Sequence, residues 1–217
     1  SRARYGNAKL DENGNPIASR EEDTPRPSSV YAATKLSQEN LCQLGFRDSS
    51  VTILRLQNVY GPGQSLINPY TGILSIFLSA IRNEKDINVF SDGRMSRDFV
   101  YIDDVISALL RAGASTGREI YNVGSGRSVS VMEVAEALIN LSSTSTKITI
   151  TGEELTGDIR HNLADLNKAH RWGYFPKIFF SEGCKKFFEW ALESEIESSQ
   201  YHNSLSLLRE KGFLKKS

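Results

Sequence analysis

The chain has 217 residues, and its 26 lysines and arginines balance 26 aspartates and glutamates, so the formal net charge is zero. That balance gives no electrostatic footprint for nucleic acid or an anionic membrane, and no apolar run approaches the length of a membrane span. Two cysteines far apart in helical patterns, Cys42 and Cys184, fit reduced core thiols of the cytosol better than a disulfide, and no metal-ligand spacing occurs.

The length suits one good core or one and a half small domains. Ser1 to Gly6 is short, ends in a glycine turn and has no signal-peptide character, so a soluble, cytoplasmic protein is expected. Asn7 to Pro27 reads as a polar loop whose Glu21, Glu22 and Asp23 are solvated. A helix follows over Ser28 to Leu44. Val51 to Leu56 is apolar and β-branched enough for a strand buried on both faces, as in a parallel sheet, and it runs into polar Gln57 and Asn58. Polar groups at the carboxyl end of such a strand face the usual ligand crevice.

Gly72 to Arg82 has helical periodicity, and short strands are expected at Ile87 to Phe90 and Arg97 to Ile102. Asp103 or Asp104 can cap a helix over Val105 to Ala112. Glu119 to Val123 is a strand broken by Gly124-Ser125-Gly126, and Ser130 with Glu133 forms a capping box for the next helix. Lys147 to Thr151 alternates as a strand, Phe180 to Ala191 is an amphipathic core helix, and the tail after Glu195 predicts a terminal helix ending near Gly212. Strands alternating with helices throughout predict an α/β fold on a mostly parallel sheet.

Two patterns bear on chemistry. Tyr31 and Lys35 are four residues apart, so on a helix they share one face, and an ammonium there favours the phenolate form of a tyrosine, a side chain whose ordinary pKa is near 10. The pair is a candidate general base for a hydroxyl. Tyr5 and Lys9 repeat the spacing in a turn-rich loop where the two need not face each other. Gly124, Gly126 and Glu153 imitate a dinucleotide fingerprint, but Val129 holds the third glycine position, and no other candidate phosphate loop exists.

Six stretches occur in order: Ser1-x-x-x-Tyr5-Gly6; Tyr31-x-x-x-Lys35; Arg55 to Pro62; Asp92-Gly93 with Arg97-Asp98-Phe99; Asn122 to Gly126; and Gly157-Asp158 with Asp165. Together they resemble the extended short-chain dehydrogenase/reductase family, the nucleotide-sugar epimerases and dehydratases, over residues 1 to about 192. The resemblance implies the C-terminal part of a Rossmann-type parallel-sheet domain, residues 1–66 and 97–127. It adds a small α/β substrate-binding domain, residues 67–96 and 128–194, and leaves a helical tail at 195–217.

It also implies NAD as cofactor, a nucleotide-diphosphate sugar as substrate and a homodimer through helices including that of Ser28. Tyr31 becomes the catalytic base and acid. Lys35 favours its phenolate and hydrogen-bonds the nicotinamide ribose, and Ser1 hydrogen-bonds the reacting hydroxyl. Gln57 sits beside the nicotinamide carboxamide, while Asn58, Phe90, Arg97, Asp158 and Arg160 hold the substrate. Duller readings stand beside these: Asn58 as a turn residue, Phe90 as a core aromatic, Arg97 as a surface ion-pair partner.

Dehydratases of this family follow the serine with Asp-Glu, where this chain has Arg2 and Ala3, so the resemblance disfavours dehydration and leaves 4-epimerisation or 4-keto reduction. The run from Leu56 to Phe77, with YAATKLSQEN and GDIRHNLAD, looks most like the branch that epimerises carbon 4 of dTDP-L-rhamnose. Leu155 departs from it, standing where relatives often place an arginine toward the nucleotide. Family members also begin with a βαβ unit and a Gly-rich loop that this sequence does not contain. The expectation is therefore an inactive chain when alone, with a non-catalytic remnant that binds a sugar nucleotide or a partner as the alternative.

Overall fold

Apolar runs alternate with amphipathic ones along the chain, and the computed structural model turns that alternation into strands and helices. It describes residues 2–66, 72–142, 144–155, 158–194, 209–210 and 214–216. In order they form a short 3-10 helix Arg2–Tyr5, α1 Val30–Gly45, β1 Val51–Leu56, β2 Asn58–Tyr60, α2 Ile73–Arg82, β3 Ile87–Val89, β4 Ser96–Tyr101 and α3 Ile102–Gly113. Then come β5 Arg118–Val123, β6 Ser128–Ser130, α4 Val131–Ser142, β7 Ile148–Ile150, β8 Glu153–Leu155, α5 Asn167–Arg171, α6 Phe180–Glu193 and β9 Leu214–Lys216. β1 pairs with β5 and β3 with β7, both parallel, and β8 with β9 antiparallel. β2, β4 and β6 lie side by side in that order. The fold is α/β, as the alternation predicts.

The chain divides into two units, residues 1–59, 97–128 and 159–179, and residues 60–96, 129–158 and 180–217. In the first, Val100, Val105, Ala108, Val123, Ala164, Leu166, Ala169 and Tyr174 form one buried cluster, with Leu54, Leu56 and Trp172 packed against it. Alternation along β1 therefore sends Leu54 and Leu56 to this cluster and Arg55 to the other side. In the second unit α2 packs on α4, α4 on α6, and β3 against α2 and α4. The capping box holds: Glu133 N donates to Ser130 Oγ at 3.1 Å, and Ser130 N to a Glu133 carboxylate oxygen at 2.6 Å.

Four expectations fail. β1 is only partly buried along most of its length, with Arg55 alone fully enclosed, because among the described residues it has a strand neighbour on one edge only. Asp103 and Asp104 do not cap α3. The helix begins one turn earlier, after Tyr101, and Asp104 instead accepts the backbone N–H groups of Lys177 and Ile178 at 2.9 and 3.1 Å. Glu21 is buried rather than solvated, since a β-edge N–H claims its carboxylate. Cys42 lies on the solvent face of α1, so only Cys184 is a core thiol. The terminal helix expected after Glu195 falls mostly outside the described residues.

Burial pushes the Cys184 thiol up to about 12, whereas Cys42 meets the reagent freely. Titration of the native chain with a disulfide reagent is expected to modify one thiol quickly and the second only in denaturant. Two equally fast thiols would contradict the packing of α6.

Candidate active site

Ser29 starts α1: in an extended backbone, its hydroxyl accepts the Ala32 N–H at 3.2 Å. The other end is held by Arg118, whose guanidinium donates to the carbonyls of Gln43, Phe46 and Ser49, a cation placed on the negative end of the helix. Between these caps Tyr31 is 60% exposed and Lys35 partly buried, and the Lys35 ammonium lies 5.7 Å from the centre of the Tyr31 ring. Lys35 also donates to Gln38 Oε1 at 3.1 Å. The helix thus presents the phenol and the ammonium together, open to a ligand.

One turn further along the same face comes Glu39, and it is buried. Arg55 grips it with a fork, Nη2 to Oε1 at 2.6 Å and Nε to Oε2 at 3.0 Å, while Arg4 Nη1 donates to Oε1 as well. The second terminal nitrogen of Arg55 donates to Tyr5 Oη at 2.6 Å and to the Glu21 carbonyl at 2.7 Å. Tyr5 in turn donates to Asn122 Oδ1 at 2.8 Å. Tyr5 is therefore spoken for inside the unit, and burial with the nearby Glu21 charge pushes its phenol far up. Its spacing to Lys9 carries no chemistry.

Glu21 Oε1 accepts the Asn122 N–H at 2.7 Å on the outer edge of β5, and burial raises the Glu21 carboxyl. The turn after β5 is organised by another buried acid. Asp98 is fully enclosed and accepts from Ser125 N at 2.7 Å, Ser125 Oγ at 2.8 Å, Gly126 N at 3.2 Å and Ala164 N at 3.2 Å. Burial pushes its carboxyl up against the pull of those donors. A glycine-turn amide that already serves an internal carboxylate cannot also cradle a pyrophosphate, so the imitation fingerprint at Gly124 and Gly126 is structural.

At the end of β1, Gln57 is buried and Asn58 partly so. Asn162 joins them: its Nδ2 donates to Gln57 Oε1 at 2.6 Å, and its Oδ1 accepts from Asn58 Nδ2 at 3.2 Å. Arg97 is buried rather than a surface partner, and its guanidinium donates to the Arg160 carbonyl at 3.0 Å. Tyr31, Lys35, Gln57, Asn58, Arg97 and Arg160 all belong to the first unit; Phe90, partly buried after β3, and exposed Asp158 belong to the second. Ser1 and Gly157 lie outside the described residues.

Glu39, Asp98 and Asn162 were not singled out from the sequence as site residues. Glu39 had a signal, since it continues the Tyr31 and Lys35 face at the next helical step. Asp98 sat inside a matched stretch without a role. Asn162 likewise lies inside the stretch GDIRHNLAD, with no role attached to it.

The profile of the NAD dependent epimerase/dehydratase family matches residues 1–124, more than half of the chain, and the chain belongs to that family. It is an enzyme family, built on Rossmann-type domains in the solved structures that resemble this one. The chain is 38% identical over 174 residues to the dTDP-L-rhamnose 4-epimerase of Burkholderia thailandensis, covering 76% of this chain and 47% of that protein. It is 31% identical over 175 residues to the UDP-glucose 4-epimerase of Mycolicibacterium smegmatis, covering 77% of this chain and 55% of that one. Among solved structures it resembles MoeE5 in complex with UDP-glucuronic acid and NAD, with a TM-score of 0.78 and 31% identity over 90% of this chain and 64% of that chain. The UDP-glucose 4-epimerase of Thermotoga maritima gives a TM-score of 0.77 and 31% identity over 87% of this chain and 61% of that chain. The chain spans about half the length of the curated relatives it matches.

Breaking a buried ion pair from one side costs about 3–5 kcal/mol, and leaving a buried N–H unserved about 1–3 kcal/mol. Urea unfolding of Glu39→Gln is expected to show the larger loss and Asp98→Asn the smaller. A Glu39→Gln chain as stable as the parent would refute the Arg4–Glu39–Arg55 clamp.

Proposed function

We propose that the whole protein catalyses NAD-dependent epimerisation at carbon 4 of a nucleotide-activated 6-deoxyhexose, converting dTDP-L-rhamnose to dTDP-6-deoxy-L-talose. The observation that carries this reading is the 38% identity to a dTDP-L-rhamnose 4-epimerase. It is supported by an open tyrosine and lysine on one helix face, and by Arg2 and Ala3 in place of the acidic pair that dehydration needs.

The residues present fit the nicotinamide end of NAD. Tyr31 and Lys35 are accessible together, and Gln57 keeps its side-chain N–H groups clear of any protein acceptor among the described residues. Bound NAD supplies a hydride acceptor and donor. Tyr31 takes the proton of the sugar 4-hydroxyl and returns it after the sugar has turned over, with the Lys35 ammonium beside it on the same helix face. Ser1 hydrogen-bonds the reacting oxygen. Arg97 grips the diphosphate with its planar fork, and Asn58 and Arg160 of the same unit help hold the sugar nucleotide, while Phe90 and Asp158 of the second unit keep the substrate-binding roles that the family resemblance implies. Leu41 and Leu44, exposed on α1, support a homodimer through that helix, in the cytoplasm.

Incubation of the whole protein with dTDP-L-rhamnose, followed by proton spectra of the sugar, is expected to show two 4-epimers with no net change in NADH. Stoichiometric consumption of NADH by a 4-keto sugar would identify a reductase instead. Tyr31→Phe is expected to lower kcat by about 10²–10⁴-fold with KM little changed, since general acid–base catalysis contributes on that order. A Tyr31→Phe enzyme of normal kcat would remove Tyr31 from the chemistry.

A further inference from the structure

The amides at the end of β1 form a hydrogen-bonded series with a direction. Asn58 Nδ2 donates at 3.2 Å to the backbone carbonyl of Asp98. A backbone carbonyl can only accept, so the Asn58 atom facing it is nitrogen and not oxygen. The same nitrogen faces Asn162 at 3.2 Å, which must answer with its oxygen. Asn162 then has only nitrogen left for Gln57, 2.6 Å away, and Gln57 must answer with oxygen. One main-chain oxygen thereby orients three side-chain amides.

Two polar ends are left over, Gln57 Nε2 and Asn58 Oδ1. Among the described residues neither has a protein partner, and neither is a sealed, orphaned atom, so both keep contact with solvent. The Gln57 stem is packed closely on one side by Gly124. A Cβ at position 124 would fall 2.6 Å from Gln57 Cγ and 2.5 Å from the Asp98 carboxylate, so Gly124 packs its bare backbone against both.

We propose that Asn162 is a positioning residue that fixes the hydrogen-bond polarity of the site: Gln57 presents N–H donors to one ligand group, and Asn58 presents a carbonyl acceptor to another. The group over Gln57 is then an acceptor, such as a carboxamide or carbonyl oxygen. The group over Asn58 is a donor, such as a sugar hydroxyl. On the reading under Proposed function, and resting on it for this step alone, the nicotinamide carboxamide turns its oxygen toward Gln57, and the substrate donates a hydroxyl proton to Asn58.

Asn162→Asp tests the polarity, because it keeps the acceptor facing Asn58 and replaces the donor facing Gln57 with a second acceptor. Gln57 must then turn its amide over and donate. Side-chain amide proton exchange in the ¹⁵N-labelled 217-residue chain reads this directly, with signals assigned through Gln57→Glu and Asn58→Asp. In the parent chain one Asn162 amide proton is expected to exchange about tenfold more slowly than the Gln57 pair, the protection of one hydrogen bond. In Asn162→Asp a Gln57 proton is expected to become protected by about the same factor. A packing role alone would leave Gln57 exchange unchanged or faster, and that result in a folded Asn162→Asp chain overturns the proposal. So does a parent spectrum in which Gln57, not Asn162, holds the protected proton, a comparison that stands even where the variant does not fold. No ligand is needed, so the outcome is independent of whether the protein uses NAD.

Discussion

A carboxylate buried between two guanidiniums governs the first unit. Glu39 ties α1, which carries Tyr31 and Lys35, to Arg55 on the strand that leads into Gln57, and to Arg4 just behind Ser1. All three segments that bear candidate catalytic or cofactor-binding groups meet at this one acid. Each ion would be costly to bury alone, and the fork geometry with Tyr5 and the Glu21 carbonyl taking further donors is what makes the burial tolerable. The cost falls on stability, and the return is a fixed azimuth for α1. A helix held only by apolar contacts could slide by a fraction of a turn and carry Tyr31 with it.

The second constraint is Asp98, which spends the amides of the Gly124–Gly126 turn on an internal charge. That turn looks like a phosphate cradle in sequence because both uses need the same glycines: a backbone bent sharply enough to aim successive N–H groups at one anion. Here the anion is a side chain of the protein. The same carboxylate fastens residue Ala164, and so draws the segment holding Asn162 up to the end of β1. A structural acid thus places a residue of the candidate site.

Much of the fold was legible because its signals are local. The Ser130–Glu133 capping box, the parallel strands β1 and β5 and the amphipathic α6 all follow from spacing within a few residues. The failures share a different origin. Glu21, Asp104 and Cys42 were assigned by residue type, yet what decides each is a partner far along the chain or its absence: the Asn122 amide 101 positions away for Glu21, the 177–178 amides for Asp104, and open solvent for Cys42. Tyr31 and Lys35 could be found because a helix sets them side by side. The role of Asn162 could not be read, although it lies inside GDIRHNLAD, since its partners Gln57 and Asn58 lie more than a hundred residues earlier and an asparagine in a loop is ordinarily a turn residue.

Two of the polar clusters of this unit, the Glu39 clamp and the amide series, differ in kind. Deep in the unit, where α1 must be anchored, the groups are ions, and their strength lies in charge and bidentate geometry. At the end of β1, where we propose that a ligand is met, they are neutral amides. A charge there would attract any counter-ion and would titrate, whereas an amide offers donor and acceptor at opposite ends of one plane and discriminates by direction alone. That discrimination is available only if something forbids the amide from turning over. Asn162 and the Asp98 carbonyl supply the restraint, and they do so from behind the site, without occupying the atoms that a ligand must reach.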